Sequence, residues 1–164
     1  VLRRAVTEAV GPARRIADLF AGCGTFALPL ASGAEVHAVE SDAAMLAALD
    51  AGWRGARGVK AVTTEARDLF RRPLMPDELT RFDAVVIDPP RAGAAAQTAA
   101  LAKGGPRRIA FVSCNPVTFA RDAEALVRAG YGLDWIEVVD QFRWSPHVEL
   151  AAQFSRDHMA AEPA

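Results

Sequence analysis

The stretch Ala84-Val85-Val86-Ile87-Asp88-Pro89-Pro90-Arg91-Ala92-Gly93 decides the fold class. Its first four residues are apolar at every position, the pattern of a strand covered on both faces. A carboxylate and two prolines follow. Proline has no backbone donor, so the strand is expected to end there in a stiff loop. Working outward, short apolar runs rich in β-branched residues recur at 15–20, 35–40 and 59–64, then at 82–87 itself, and at 108–113, 135–140 and 148–154. Alanine-rich helical stretches lie between most of them, at 26–31, 43–51, 94–102 and 116–129. This alternation predicts an α/β fold with a mainly parallel sheet and helices on both faces. The last two runs have no helical pattern between them, and their joining segment, 141–147, contains Pro146. They are therefore expected to form an antiparallel pair at the end of the sheet. Residues 1–10 read as half of an amphipathic helix, and the polar end from 156 to 164 is expected to fray.

The composition is that of an ordinary globular chain. A length of 164 residues suits one domain. Apolar residues make up 51% and charged residues 24%, which excludes a disordered chain. No apolar run is long enough to span a bilayer, and no signal peptide is visible. The missing initiator methionine predicts an excised piece of a longer protein. The net charge of −1 weakens a purely electrostatic case for nucleic-acid binding, although local arginine patches can still contact phosphates. The two cysteines, Cys23 and Cys114, read as free thiols in a reducing cytoplasm. No Cys/His cluster has metal-ligand spacing, so no metal site is expected.

The run Asp18-Leu19-Phe20-Ala21-Gly22-Cys23-Gly24-Thr25-Phe26 closes the first strand. Its glycines allow a tight turn and a close backbone approach to a ligand, and a helix starts near Phe26. A tight strand-to-helix turn without ligand has the same signature. Glu40 ends the second strand, 18 positions after Gly22, a spacing at which a carboxylate reaches a ribose hydroxyl pair. It reads equally as a loop acid or helix start, with Ser41 or Asp42 as alternative caps. A nicotinamide enzyme is a rival at this point. Asp68, after the third strand, suits either an adenine amino group or a turn. Asp88 and Pro89 sit at a strand's carboxyl end, where α/β sheets bind ligands. The fifth strand ends in Ser113-Cys114-Asn115-Pro116, where Asn115 suits a helix cap and Pro116 the first helical position. Cys114 then stands before the positive end of a helix dipole, a place that favours a nucleophilic thiolate, although a free cysteine is often just a small buried residue.

The four segments Asp18–Gly24, Asp88–Gly93, Ser113–Pro116 and His147-Val148-Glu149 resemble, in order and approximate spacing, the RNA uracil-5 methyltransferases that modify 23S ribosomal RNA and transfer RNA. The resemblance covers residues 16–154. It implies a Rossmann-like class I S-adenosylmethionine-dependent methyltransferase fold with a seven-stranded sheet. It also implies that residues 1–164 form one catalytic domain, separated from upstream RNA-binding and connecting domains. By that resemblance Cys114 is the nucleophile and Glu149 the general base. The cofactor S-adenosylmethionine is held by Asp18, Gly22, Gly24, Glu40, Asp68 and Asp88. Asp88, Pro89 and Arg91 would face the RNA substrate. The physical logic agrees. Carbon 5 of uracil is a poor nucleophile until a thiolate adds at carbon 6, and the carbon 5 proton must later leave to a base.

The chain departs from the family at Phe142-Arg143-Trp144-Ser145-Pro146, where Phe-Pro-Gln-Thr is common. Arg143 suits a phosphate contact and Trp144 a stacked base, or ordinary packing. Three rivals remain open. A cytosine-5 enzyme would carry a cysteine after the proline, where Pro90 stands. An amino-group methyltransferase would have an aromatic residue in place of Arg91. A non-catalytic fragment would bind cofactor weakly or only pack against partner domains.

Overall fold

A computed structural model describes residues 1–139 and 148–157. Seven strands form one sheet: β1 (Arg15–Leu19), β2 (Glu35–Glu40), β3 (Val62–Ala66), β4 (Ala84–Ile87), β5 (Arg108–Ser113), β6 (Gly132–Val139) and β7 (Glu149–Ser155). Their order is β3-β2-β1-β4-β5-β7-β6. Pairings from β3 across to β5 are parallel. β7 is antiparallel to both β5 and β6, as expected for the final pair. The helices are α1 (Leu2–Val10), α2 (Ala27–Leu30), α3 (Ala43–Gly55), α4 (Pro76–Leu79), α5 (Ala95–Gly104) and α6 (Pro116–Arg128).

Alternation along each strand divides the core into two layers. Ala17, Leu19, Val85, Ile87, Ile109 and Phe111 pack with Leu101, Phe119 and Leu126 of α5 and α6. Ile16, Ala84, Val86, Ala110 and Val112 face the other way, against Val6, Ala9 and Val10 of α1 and Leu30 and Leu49 of α2 and α3. This explains why β4 has no polar position: all four of its residues are buried, two under each layer. Asp18 has the parity of Ile16, which directs a carboxylate into the α1–α3 layer.

Several boundaries differ from expectation. The third strand starts at Val62 rather than 59, because the Lys60 amide is tied 2.7 Å from the Ala31 carbonyl beyond α2. The sixth begins at Gly132 rather than 135, since β7 extends to Ser155 and pairs with it. The helix expected over 26–31 is a single turn, with Pro29 in its first turn, where proline is tolerated, and a turn through Ser32 and Gly33 following it. α4 has no counterpart in the periodicity reading, because four residues carry no period. Its signal is Pro76 at the first position, followed by Asp77 and Glu78. Among the described residues no helix is long and apolar enough to cross a membrane.

Candidate active site

Parallel pairing brings the carboxyl ends of β1, β2, β4 and β5 to one edge of the sheet. Leu19 is level with both Val39 and Ile87, and Ile87 with Phe111. The chain leaves β1 towards β2 on one side and finds β4 on the other, so this is the point where strand order reverses and α/β sheets hold ligands. β7 runs the opposite way, so its first residue, not its last, arrives at this edge. Leu150 pairs with Ser113, which sets Glu149 beside the Ser113–Pro116 loop. The candidate base and nucleophile, 35 positions apart in sequence, are thus brought to one place by strand direction.

A cleft of about 520 Å3 opens between the β1, β2, β3 and β4 loops, lined by Gly22, Glu40, Asp68, Phe70, Asp88 and Pro89 among others. Gly22 and Gly24 have φ of 55° and 96°, a left-handed region that favours glycine. At Gly24 a β-carbon would also lie 3.0 Å from side-chain atoms of both Leu28 and Leu49, so this glycine closes α2 and α3 onto the loop. Phe20, with φ 61°, is strained without being glycine, and its ring packs 5.4 Å from that of Phe70 at the cleft. The Glu40 carboxylate accepts from the amides of Gly22 at 3.1 Å, Ser41 at 2.7 Å and Asp42 at 3.0 Å. It therefore orders the glycine loop directly, while Asp42 caps α3. Asp68 accepts from the Phe70 amide at 2.9 Å, so it serves its own turn as well as lining the cleft. Arg67 braces the same segment through Glu78, at 2.7 Å, and through the carbonyls of Arg72 and Pro73.

Three carboxylates give this edge its electrostatic character. Asp18 is wholly buried, and neither oxygen has a hydrogen-bond partner. Burial, then the Asp88 charge, push its pKa from 3.8 to about 8; the nearby Ala27 amide offsets this in part but falls short of a formed hydrogen bond. Asp88 is raised to about 6 by burial and then by Glu149. Burial also raises Glu149. Acids held this way await a cation or a proton.

Cys114 is a free, half-buried thiol at the start of α6. Asn115 caps the helix by accepting from the Val117 amide at 3.0 Å, and Pro116 takes the first position, as expected. The Asn115 amide donates to Ser113 Oγ at 3.1 Å, which fixes the turn around Cys114. Asp18, Gly22, Gly24, Glu40, Asp68 and Asp88 are therefore gathered around the glycine loop, while Cys114 and Arg91 lie on the adjoining loops and Glu149 at the start of β7. Arg143, Trp144 and His147 lie outside the described residues. Sequence reasoning missed the strained Phe20, the Arg67–Glu78 brace and the contacts of Arg121 with the Ala92 carbonyl and of Asp122 with the Ala94 amide. Of these, only a charged pair inside an otherwise amphipathic helix, Arg121-Asp122, left a readable trace. A smaller cavity of about 170 Å3 lies at the start of β2, beside His37. There His37 is satisfied by Thr63 at 2.8 Å and Glu65 at 3.1 Å, so it presents no unmet chemistry.

Residues 56–157 match the family profile described as tRNA (Uracil-5-)-methyltransferase. The chain is 54% identical over 155 residues to an uncharacterised RNA methyltransferase of Rhizobium meliloti, covering 94% of this chain and 37% of that protein. It is 40% identical over 156 residues to the 23S rRNA (uracil(1939)-C(5))-methyltransferase RlmD of Cronobacter sakazakii, covering 90% of this chain and 34% of that one. Among solved structures, the tRNA (uracil-54, C5)-methyltransferase of Pyrococcus abyssi, in complex with S-adenosyl-L-homocysteine, superposes with a TM-score of 0.80 at 34% identity. That match covers 93% of this chain and 37% of that one. The chain thus spans little more than a third of the length of these relatives.

Proposed function

The chain belongs to the tRNA (uracil-5-)-methyltransferase family, and from that membership we propose that it carries the chemistry for methylating carbon 5 of a uridine in RNA. The observation that carries this reading is the meeting of Asp88, Cys114 and Glu149 at one sheet edge through the β4, β5 and reversed β7 strands. The RNA is ribosomal or transfer RNA, the classes named for its relatives. Its capture belongs mainly to the part of those proteins that this chain does not span.

The glycine-loop cleft fits S-adenosylmethionine. The orphaned carboxylate of Asp18, with Asp88 nearby, suits a cationic ligand. Glu40 and Asp68 offer acceptors for ribose hydroxyls and an adenine amino group, and a cleft of about 520 Å3 is of small-molecule size. When bound, that cofactor supplies an electrophilic methyl group. The chain's own residues do the rest. The Cys114 thiolate bonds to carbon 6 of uracil, and the π electrons move onto the ring carbonyl as an enolate. Carbon 5, now electron-rich, takes the methyl. Glu149 removes the carbon 5 proton, the double bond re-forms and the Cys114–carbon bond breaks, so the thiolate is regenerated. Burial of Glu149 favours this step, because a raised pKa makes a better proton acceptor. Asp88 and the Pro89 carbonyl present hydrogen-bonding groups to the flat base, and Arg91, with Arg143, meets phosphate while Trp144 stacks.

The test is Glu149→Gln in the natural full-length protein, given S-adenosylmethionine and a uridine-containing RNA. We expect one methyl group transferred per protein and an RNA–protein adduct that releases at least about 100-fold more slowly. Multiple turnover at the normal rate would remove Glu149 from the base role. Methyl groups found on cytosine or on an exocyclic amine would instead favour the rival chemistries.

A further inference from the structure

Between β4 and β5 the pairing stops at Ile87 and Phe111. The Asp88 amide is still held 3.2 Å from the Leu19 carbonyl and Ser113 is paired with Leu150, but residues 91–94 lie beyond every strand ladder. Something else must hold the 91–94 segment against the Cys114 loop. One stripe of α6 and its cap does so. Asn115 Nδ2 donates to the Arg91 carbonyl at 3.0 Å, and the Thr118 hydroxyl lies 3.2 Å from the same oxygen. Arg121 Nη2 donates to the Ala92 carbonyl at 3.2 Å. Asp122, only 1% exposed, accepts from the Ala94 amide at 2.7 Å through Oδ2, and from Arg121 Nε at 2.9 Å through Oδ1. Positions 115, 118 and 121–122 recur at helical spacing, so they form a single face. At Gly93, φ is 78° and a β-carbon would come 2.5 Å from Arg121 Nη2 and 2.7 Å from Asp122 Oδ2. The loop is therefore gripped by its backbone at 91, 92 and 94 and pressed onto α6 at 93.

We infer that Asp122 is a positioning residue, which locks the Asp88–Gly93 loop onto α6 so that Asp88 and Cys114 act on one substrate as a rigid pair. This rests on the reading above that both serve one uracil. Asp122 is at the centre of the grip: a buried carboxylate, it fixes the Ala94 amide and orients Arg121 towards the Ala92 carbonyl. Charged groups buried this deeply hold their geometry because any displacement leaves them unpaired. Misplacement of a reacting group by about 1 Å costs on the order of 100-fold in rate. Loss of the lock is therefore expected to appear in the chemical step rather than in cofactor binding.

The test compares the natural full-length protein with Asp122→Asn and Asp122→Ala, using Glu124→Gln as a control, since Glu124 pairs with Arg128 on exposed surface. Hydrogen exchange of amides 91–94, cofactor affinity, and kcat on RNA are measured well below each variant's melting temperature. We expect the buried, hydrogen-bonded amides of this segment, Gly93 and Ala94, to exchange at least 10-fold faster in both Asp122 variants. The expected kcat falls about 10- to 100-fold, with Asp122→Asn the milder, while the cofactor Kd stays within 3-fold. Unchanged exchange at Gly93 and Ala94 would overturn the lock. Faster exchange with unchanged kcat would overturn its role in alignment. If the unaltered protein fails to methylate uridine, the functional reading fails by itself, and the exchange of Gly93 and Ala94 still decides whether Asp122 holds the loop.

Discussion

At the residue scale the most consequential group is Asp18. Its carboxyl is buried, unpartnered and raised to about 8 against an ordinary 3.8. The folded protein thus holds this proton more tightly than the unfolded chain does. Its contribution to stability is full below pH 3.8 and is lost as pH rises through about 8. Asp18→Asn is therefore expected to stabilise the ligand-free protein by a few kcal/mol at pH 8, with no gain near pH 3.5. Thermal melts at the two pH values measure this, and equal shifts at both would contradict it. The same carboxyl must ionise to meet a cation. Affinity for S-adenosylmethionine is then expected to climb towards tenfold per pH unit between pH 6 and 8 and to level off above. Calorimetric titration across that range reads the slope, and a flat profile would exclude Asp18 as the cation's partner.

At the element scale, what was legible depended on periodicity. β2 and β5 match their expected bounds of 35–40 and 108–113, because apolar β-branched runs ended in recognisable loop chemistry. α2 and α4 are one turn each, too short for a hydrophobic repeat to show, and only the start of α4 is marked, by Pro76 at its first position. The candidate site divides in the same way. Cys114, Asp88 and the glycine loop stand at strand ends that sequence alone marks. The backbone grip of Asn115, Thr118, Arg121 and Asp122 depends on tertiary approach, which no local pattern encodes. Glu40 held the middle ground: its place was readable, but its three amide contacts were not. The joint between α2 and α3 gives a direct check. Gly24→Ala adds a β-carbon 3.0 Å from Leu28 and Leu49 atoms, at φ 96°. We expect a loss of about 1–3 kcal/mol in chemical denaturation, together with weaker cofactor binding. A change below about 0.5 kcal/mol would show that the loop relaxes freely.

At the scale of the whole molecule, the sheet is asymmetric. The central strands are covered on both faces, whereas β6 is an edge strand with Leu133, Ile136 and Val138 exposed. A near-neutral chain with such an edge is expected to self-associate as its concentration rises. Val138→Lys should suppress light scattering at high concentration without changing the melting temperature by more than a few degrees, and undiminished scattering would place the contact elsewhere. The asymmetry also serves the chemistry, since only a reversed β7 can deliver Glu149 to the edge where Cys114 stands. The central claim is that this edge adds a thiolate to a pyrimidine, and 5-fluorouridine RNA tests it most directly. Fluorine cannot leave carbon 5 as a proton does, so the adduct should accumulate. Mass spectrometry of the full-length protein with this RNA and S-adenosylmethionine is expected to find a methylated RNA adduct on the peptide containing Cys114, and none in Cys114→Ala. An adduct that persists in Cys114→Ala would contradict the account.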